Sequence, residues 1–156
     1  MGTRSLTEVI ETYKDDNGKE KKETLLTMYR QYDGYPSGMG KDLSEFLKSG
    51  KVVNGISMSE TQKVFNGAGC LAAQLVANFK EGAGNIYIYR PKSRNCGEEY
   101  IYQIIVDWNT KQTKLRCLEV GYVDKKGKYT NKTRQLFFGE PEKYVEWLEQ
   151  HEKQTA

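Results

Sequence analysis

The apolar positions at the start of the chain do not follow a helical period. Residues 5–14 (Ser-Leu-Thr-Glu-Val-Ile-Glu-Thr-Tyr-Lys) are rich in β-branched and apolar types, the composition of an extended strand. Asp15-Asp16-Asn17-Gly18 comes next, and Asn-Gly is the strongest short hairpin signal because both residues accept a left-handed backbone. A returning strand over about residues 21–31 completes a predicted N-terminal β-hairpin.

The period then lengthens. Met39, Leu43, Phe46 and Leu47 recur at the spacing of one helix face. Asp42 falls in the first turn, where the helix dipole favours negative charge, and Gly50 stands where a glycine cap ends many helices. Ser57 or Ser59, with Glu60 or Gln62 three residues on, reads as a capping box for a second helix carrying Val64 and Phe65 inward. Asn66-Gly67-Ala68-Gly69 breaks it. A third helix is predicted over about residues 70–80, with Leu71, Leu75 and Phe79 in register and Gly82 as its stop.

The second half alternates with period two. Asn85-Ile86-Tyr87-Ile88-Tyr89-Arg90 and Tyr100-Ile101-Tyr102-Gln103-Ile104 read as strands, residues 114–123 alternate less cleanly, and residues 135–138 add a short strand. Turns are predicted at Asn109-Thr110 and Asp124-Lys125-Lys126-Gly127. Pro141 opens a closing helix, where its missing N–H costs nothing, and Tyr144, Trp147 and Leu148 form that helix's inward face. The expected order is ββ-ααα-ββββ-α, an α+β fold with an N-terminal hairpin, central helices, an antiparallel sheet in the second half and a C-terminal helix. No repeat, low-complexity tract or linker interrupts it, so residues 1–156 are read as a single domain.

Composition narrows the function classes. The chain has 24 basic and 21 acidic residues, a net charge of +3, too balanced to predict nucleic-acid binding from overall charge. No stretch reaches the ~18–20 apolar residues of a membrane span, and no apolar run of signal-peptide type opens the chain, so a cytoplasmic location and no membrane partner are expected. Met1-Gly2 fails as a myristoylation signal because Leu6 stands where Ser or Thr is required. Cys70, Cys96 and Cys117 form no C-x-x-C pair, and with one histidine they supply no ordinary zinc site, so free thiols, at least two of them in the core, and no metal or cofactor are expected. A Ser-His-Asp or Cys-His mechanism would have to use His151, near the end of the closing helix. Asp33, Glu98, Glu99, Asp107 and Glu119 are the acids that a magnesium-dependent nuclease would have to gather. The chemistry points to binding rather than catalysis.

One segment exceeds what a strand-to-helix connection of about 4–6 residues needs. Residues 29–41 hold three tyrosines, three glycines, Arg30, Asp33, Pro36, Ser37 and Lys41. Asp33-Gly34 is a turn dipeptide, and Pro36 forces Tyr35 to be extended. Gly38 and Gly40 precede a helix start whose amides suit an anion, with Arg30 and Lys41 beside it for phosphate or carboxylate. Tyr29, Tyr32 and Tyr35 suit stacking on a flat ring. Neither phosphate-loop signature, G-x-x-x-x-G-K-[ST] or G-x-G-x-x-G, is present.

Residues 29–47, Tyr-Arg-Gln-Tyr-Asp-Gly-Tyr-Pro-Ser-Gly-Met-Gly-Lys-Asp-Leu-Ser-Glu-Phe-Leu, resemble a pattern in uncharacterised small proteins of bacteria, archaea and phages. Those proteins carry a similar aromatic/Arg-x-x-Asp-Gly-Tyr-Pro-x-Gly-x-Gly run leading into a helix. The resemblance covers about one-eighth of the chain, and the Gly-Ala-Gly-Cys helix downstream is also similar. It carries over to Arg30, Asp33, Gly34, Tyr35, Pro36, Gly38 and Gly40 and transfers a motif without an activity.

Two further groups complete the candidates. Asn66, Gly67, Gly69 and Gln74 mark a second glycine-rich helix entry. Arg90, Lys92 and Arg94 put three cations into one short connection, and Lys125, Lys126, Lys128, Lys132 and Arg134 form a second basic cluster. The expected function is a non-catalytic binding module for a small anionic, nucleotide-like ligand; by the phage resemblance, one version is an anti-defence protein that sequesters a nucleotide signal. The alternatives are a protein-interaction or regulatory module using Tyr87, Tyr89, Tyr100 and Tyr102, including a homo-oligomer, and a nucleic-acid binder using the basic arms.

Overall fold

A computed structural model of the protein describes residues 2–55 and 64–155. Strands β1 (Ser5–Lys14) and β2 (Glu20–Arg30) form the predicted hairpin, turning at Gly18 with φ +77°. The chain then makes one π-helical turn (Pro36–Gly40) that runs straight into α1 (Lys41–Lys48). Short strands β3 (Lys51–Val53) and β4 (Val64–Asn66) pair in parallel, and α2 (Gly67–Phe79) follows. The second half gives β5 (Ile86–Tyr89), β6 (Tyr100–Asp107), β7 (Thr113–Val123) and β8 (Tyr129–Gly139), then α3 (Tyr144–Thr155) after a 3-10 turn at Pro141.

Six strands form one sheet in the order β5-β2-β1-β6-β7-β8. The strands of the second half run antiparallel from β6 through β8, while β1 joins β6 in parallel, Leu6 opposite Ile101. The hairpin thus sits in the middle of the sheet, and β5 returns to its outer edge beside β2. The fold class is α+β, as the segregated pattern implies.

Strand alternation gives the sheet two unlike faces. Val9, Met28, Ile86, Tyr102, Ile104, Leu115, Cys117 and Phe137 pack against Leu43, Phe46 and Leu47 of α1, Leu71 and Leu75 of α2, and Tyr144 and Leu148 of α3. The opposite face carries a smaller cluster, Leu6, Tyr29 and Ile101, with Tyr89, Cys96, Leu118 and Val120 around it. No helix covers that face among the described residues. The 90–99 connection does so instead, because β5 and β6 are separated by β2 and β1 and the chain must cross both strands. Lys92 N–H donates to Thr27 Oγ1 at 2.9 Å on the way.

Four local expectations change. Val64 and Phe65 lie in a strand rather than a helix; their β-branched and aromatic side chains pair beside β3, and Phe65 still enters the core. The capping box at residues 57–62 lies outside the described residues. Gly67 and Gly69 belong to the first turn of α2, so the helix starts earlier than the glycines imply. At α1, Ser49 rather than Gly50 takes the cap, in right-handed conformation. Of the cysteines, Cys117 is fully in the core, whereas Cys70 and Cys96 are half-buried, and all three are free.

Candidate functional site

Residues 29–41 fold into a closed knot. Asp33 adopts φ +56°, a left-handed conformation that aspartate tolerates, and its carbonyl accepts Met39 N–H at 2.8 Å. Gly38 N–H donates to the Tyr35 carbonyl at 2.9 Å, and Lys41 N–H to the carbonyls of Pro36 and Gly38. These are amides that a helix start would offer an anion, and here the chain's own carbonyls hold them. A Cβ on Gly38 would run into the Asp33 carbonyl, and one on Gly40 into the Tyr144 hydroxyl and the Tyr102 ring. Both glycines are explained by close packing within the protein.

Two buried tyrosines fasten the knot from distant elements. Tyr102 on β6 donates its hydroxyl to the Gly34 carbonyl, and Tyr144 on α3 donates to the Pro36 carbonyl, each at 2.7 Å. Burial raises both phenols well above their ordinary range, since a phenolate at either site would go without the solvation that water supplies.

Arg30 turns inward at the end of β2. Its Nη1 lies 3.3 Å from Asp42 Oδ2 and 2.8 Å from Met39 Sδ, and its guanidinium stands 5.7 Å from the Tyr32 ring centroid. It ties the hairpin to α1. Asp33 points outward and accepts the Tyr35 hydroxyl at 3.2 Å, a bond that, with the Asp33 charge, raises the Tyr35 phenol above its ordinary range. Ser37 and Lys41 are exposed.

Tyr29 and Tyr32 meet in space at the open end of the hairpin. With Gly2, Arg4 and Gln31 they line an open cavity of about 410 Å³. Tyr29 is its buried floor, stacked on Tyr89 with ring centroids 5.0 Å apart and planes 5° apart; Tyr32 is an exposed wall. Gly97, at φ +82°, leaves room for the Arg4 guanidinium, into which any side chain there would run. Arg4 and Gln31 are the residues that sequence reasoning passed over. No sequence signal marks them: the ladder ends at Ser5 opposite Arg30, and Arg4 and Gln31 lie one residue beyond it on the two strands.

The second glycine-rich entry also serves the fold. Asn66 Oδ1 accepts Gly55 N–H at 2.7 Å, and Gln74 donates to the Val64 carbonyl at 2.9 Å, so both side chains secure β3 and β4. Gly67 has φ +82°, and Gly69 faces open space. Another cavity, about 210 Å³ between Lys51, Lys111, Lys114, Glu140 and Glu142, is below the ~300 Å³ usual for small-molecule sites. Its Lys114 and Glu140 stand 3.8 Å apart.

The basic connection separates into individual roles. Arg90 and Lys92 are exposed, whereas Arg94 grips the buried Glu8 with both terminal nitrogens, at 2.8 and 3.2 Å. Gln103 donates to the same carboxylate at 3.0 Å and Thr27 at 3.4 Å. Burial works to raise the Glu8 carboxyl, but the bonds and charge of Arg94, with Gln103 and Thr27, hold it below its ordinary value. No sequence pattern marked Glu8, because its partners come from three other elements.

The tyrosines of the strands do not share one surface. Tyr87 and Tyr89 lie on the face with Tyr29, whereas Tyr100 and Tyr102 belong to the helix-covered side, Tyr102 fully buried. His151 stacks on Trp147 at 4.8 Å. Among the described residues, no group of three or more His, Cys, Asp and Glu side chains gathers where a metal ion could be held, and no helix is long and apolar enough to cross a membrane. No family model, curated protein or solved structure matches this chain.

Proposed function

We propose that the chain is a non-catalytic binding module for a small anionic ligand carrying a flat ring, a nucleotide in chemical class, held at the open end of the N-terminal hairpin. The cavity between Tyr29 and Tyr32, with Arg4 on its wall, carries this reading. Its volume of about 410 Å³ falls within the range of small-molecule sites. A tyrosine face accepts any base by stacking, and a guanidinium matches phosphate or carboxylate through paired N–H groups. The Gln31 amide can both donate to and accept from a base edge. Among the described residues, the lining offers two phenols and no carboxylate, imidazole or thiol to act as base or nucleophile. Binding without turnover is what sequestration of a nucleotide signal would require.

The test is mass spectrometry of small molecules released when the purified protein is heat-denatured, followed by calorimetric titration with mono-, di- and cyclic nucleotides. A ligand recovered near stoichiometry, with Arg4→Ala and Tyr32→Ala each weakening it at least tenfold and leaving the circular dichroism unchanged, supports the site. If nothing is released and no nucleotide titrates, or if Tyr32→Ala binds like the parent, this reading fails.

A further inference from the structure

The β7–β8 hairpin is longer than the sheet it belongs to. The ladder between β6 and β7 ends at Tyr100 opposite Glu119, with one more bond from Val120 N–H to the Glu99 carbonyl at 2.9 Å. Beyond that point β7 and β8 pair only with each other, Val120 with Thr133, Tyr122 with Thr130 and Val123 with Tyr129. No residue from 118 to 136 is fully buried; Val123 is 59% and Tyr129 63% exposed. This is a two-stranded ribbon projecting from the sheet with no core of its own.

Its end is nonetheless well built. Asp124 Oδ1 accepts the N–H groups of Lys126 and Lys128, each at 2.9 Å, Gly127 N–H donates to the Asp124 carbonyl at 3.0 Å, and Gly127 adopts φ +78°. Asp124, the only acid beyond Glu119 at the ribbon's root, is therefore engaged in shaping the turn. Residues 120–134 contain five of the 24 basic residues and one of the 21 acidic ones, a net charge of +4, while the rest of the chain carries −1. Arg134 is held at the root, 2.9 Å from Glu119 and over the Tyr122 ring at 4.5 Å. Lys125, Lys126, Lys128 and Lys132 are exposed, and none makes an ion pair among the described residues.

We propose that this ribbon is an arm that docks onto duplex DNA through its phosphates, independently of base sequence. A two-stranded ribbon fits a major groove about 12 Å wide, and about five residues per strand reach roughly 17 Å. Lysines at the tip and flank meet phosphates as point charges and release their counterions, which supplies affinity without reading bases. A-form RNA offers a major groove too narrow for such an arm. The turn itself, Asp-Lys-Lys-Gly-Lys, is polar and cationic, flanked by the exposed Val123 and Tyr129, and vesicle binding distinguishes a bilayer from DNA. The ribbon shares no residue with the lining of the tyrosine cavity.

The experiment is fluorescence anisotropy of the full chain with a labelled random-sequence duplex of about 20 base pairs, from 50 to 200 mM salt. Four phosphate contacts predict roughly a 100-fold loss of affinity across that range, with log K falling against log[salt] at a slope between about −3 and −4. The variant K125Q/K126Q/K128Q/K132Q should bind at least tenfold more weakly with a much flatter slope, keep its circular dichroism, and leave any nucleotide binding at the tyrosine cavity unchanged. No duplex binding at 50 mM salt, unchanged binding in the quadruple variant, or equal displacement by polyglutamate of the same charge would overturn the proposal. So would binding to phosphatidylserine vesicles without binding to DNA.

Discussion

The hydroxyl of Tyr144 donates to the carbonyl of Pro36 across 108 residues of chain, at 2.7 Å and out of contact with water. With Tyr102 bonding Gly34 from β6, it fixes the connection between the hairpin and α1 against two separate parts of the core. The Tyr102 bond pairs the buried Gly34 carbonyl, and the Tyr144 bond is a second one to the Pro36 carbonyl, which also accepts Lys41 N–H. Tyr144→Phe and Tyr102→Phe should each cost about 1–3 kcal/mol in urea unfolding. Because both hold the same short loop, the double variant should depart from the sum of the singles, which a double-mutant cycle will measure. Strict additivity would mean that the loop does not couple them.

Gly40 and Gly69 make a matched pair for the close-packing argument. A methyl group on Gly40 meets the Tyr144 hydroxyl and the Tyr102 ring, whereas one on Gly69, within α2, meets nothing within 4 Å. Gly40→Ala should destabilise by about 1–3 kcal/mol through overpacking. Gly69→Ala should be neutral or stabilise by up to about 1 kcal/mol, as alanine is the better helix former. Thermal melts of the two variants check both signs.

The pair of Glu8 and Arg94 gives a dependence on acid pH. The Glu8 carboxyl is held below its ordinary value of 4.5, so the folded state favours the charged form. Its contribution is present above that ordinary value and is lost as pH falls through the lowered one. Arg94→Ala leaves the carboxylate buried without its main partner. The loss at pH 7 should be about 1–3 kcal/mol, less than for a fully enclosed pair because the Arg94 side chain is 37% exposed. At pH 4 the loss should shrink, since a protonated Glu8 no longer needs the cation. Urea midpoints of parent and variant at the two pH values will show whether the gap narrows.

Alkaline pH acts on the opposite end of the scale. Burial pushes the Cys117 thiol from 9.0 up to about 12, and burial raises Tyr102 and Tyr144 above the ordinary phenol value of 10.0. Folded-state values above the unfolded ones mean stability that is complete below pH 9 and declines as pH rises. Cys117 alone should account for about 2–3 kcal/mol of loss by pH 11. A flat stability profile from pH 8 to 11, or rapid alkylation of native Cys117 at pH 8, would contradict its enclosure.

Arg30 should behave as a structural residue. Its contacts with Asp42, Met39 and Tyr32 join β2 to α1, so Arg30→Ala should lower stability by about 1–2 kcal/mol. The exposed Tyr32→Ala should change it by less than about 0.5 kcal/mol. Paired urea titrations separate the residue that holds the loop from the exposed one on the cavity wall.

Local signals in the sequence determined the elements with strong patterns. Asn17-Gly18 between two β-branched runs fixes the hairpin, because the turn and the alternation agree. The apolar spacing of Leu43, Phe46 and Leu47 fixes the face of α1, and Pro141 with Tyr144 and Leu148 fixes the last helix. Val64 and Phe65 were misread as helical because an apolar pair before glycines has no period of its own; strand β3 decided the matter by pairing with them.

The density of residues 29–41 was likewise legible, but not its purpose. Glycine, proline and tyrosine in a short run announce a constrained backbone, and sequence alone does not say whether a ligand or the protein's own side chains fill the space. Tyr102 and Tyr144, far along the chain, decide it for Gly40. The same holds for charge: Arg30, Arg94 and Lys132 look alike in sequence. The fold places the first against Asp42, the second against Glu8, and leaves the third on a projecting ribbon. Turn chemistry and periodicity act between near neighbours and can be read along the chain, whereas burial and ion pairing depend on which distant strands meet, and only the tertiary structure brings those together.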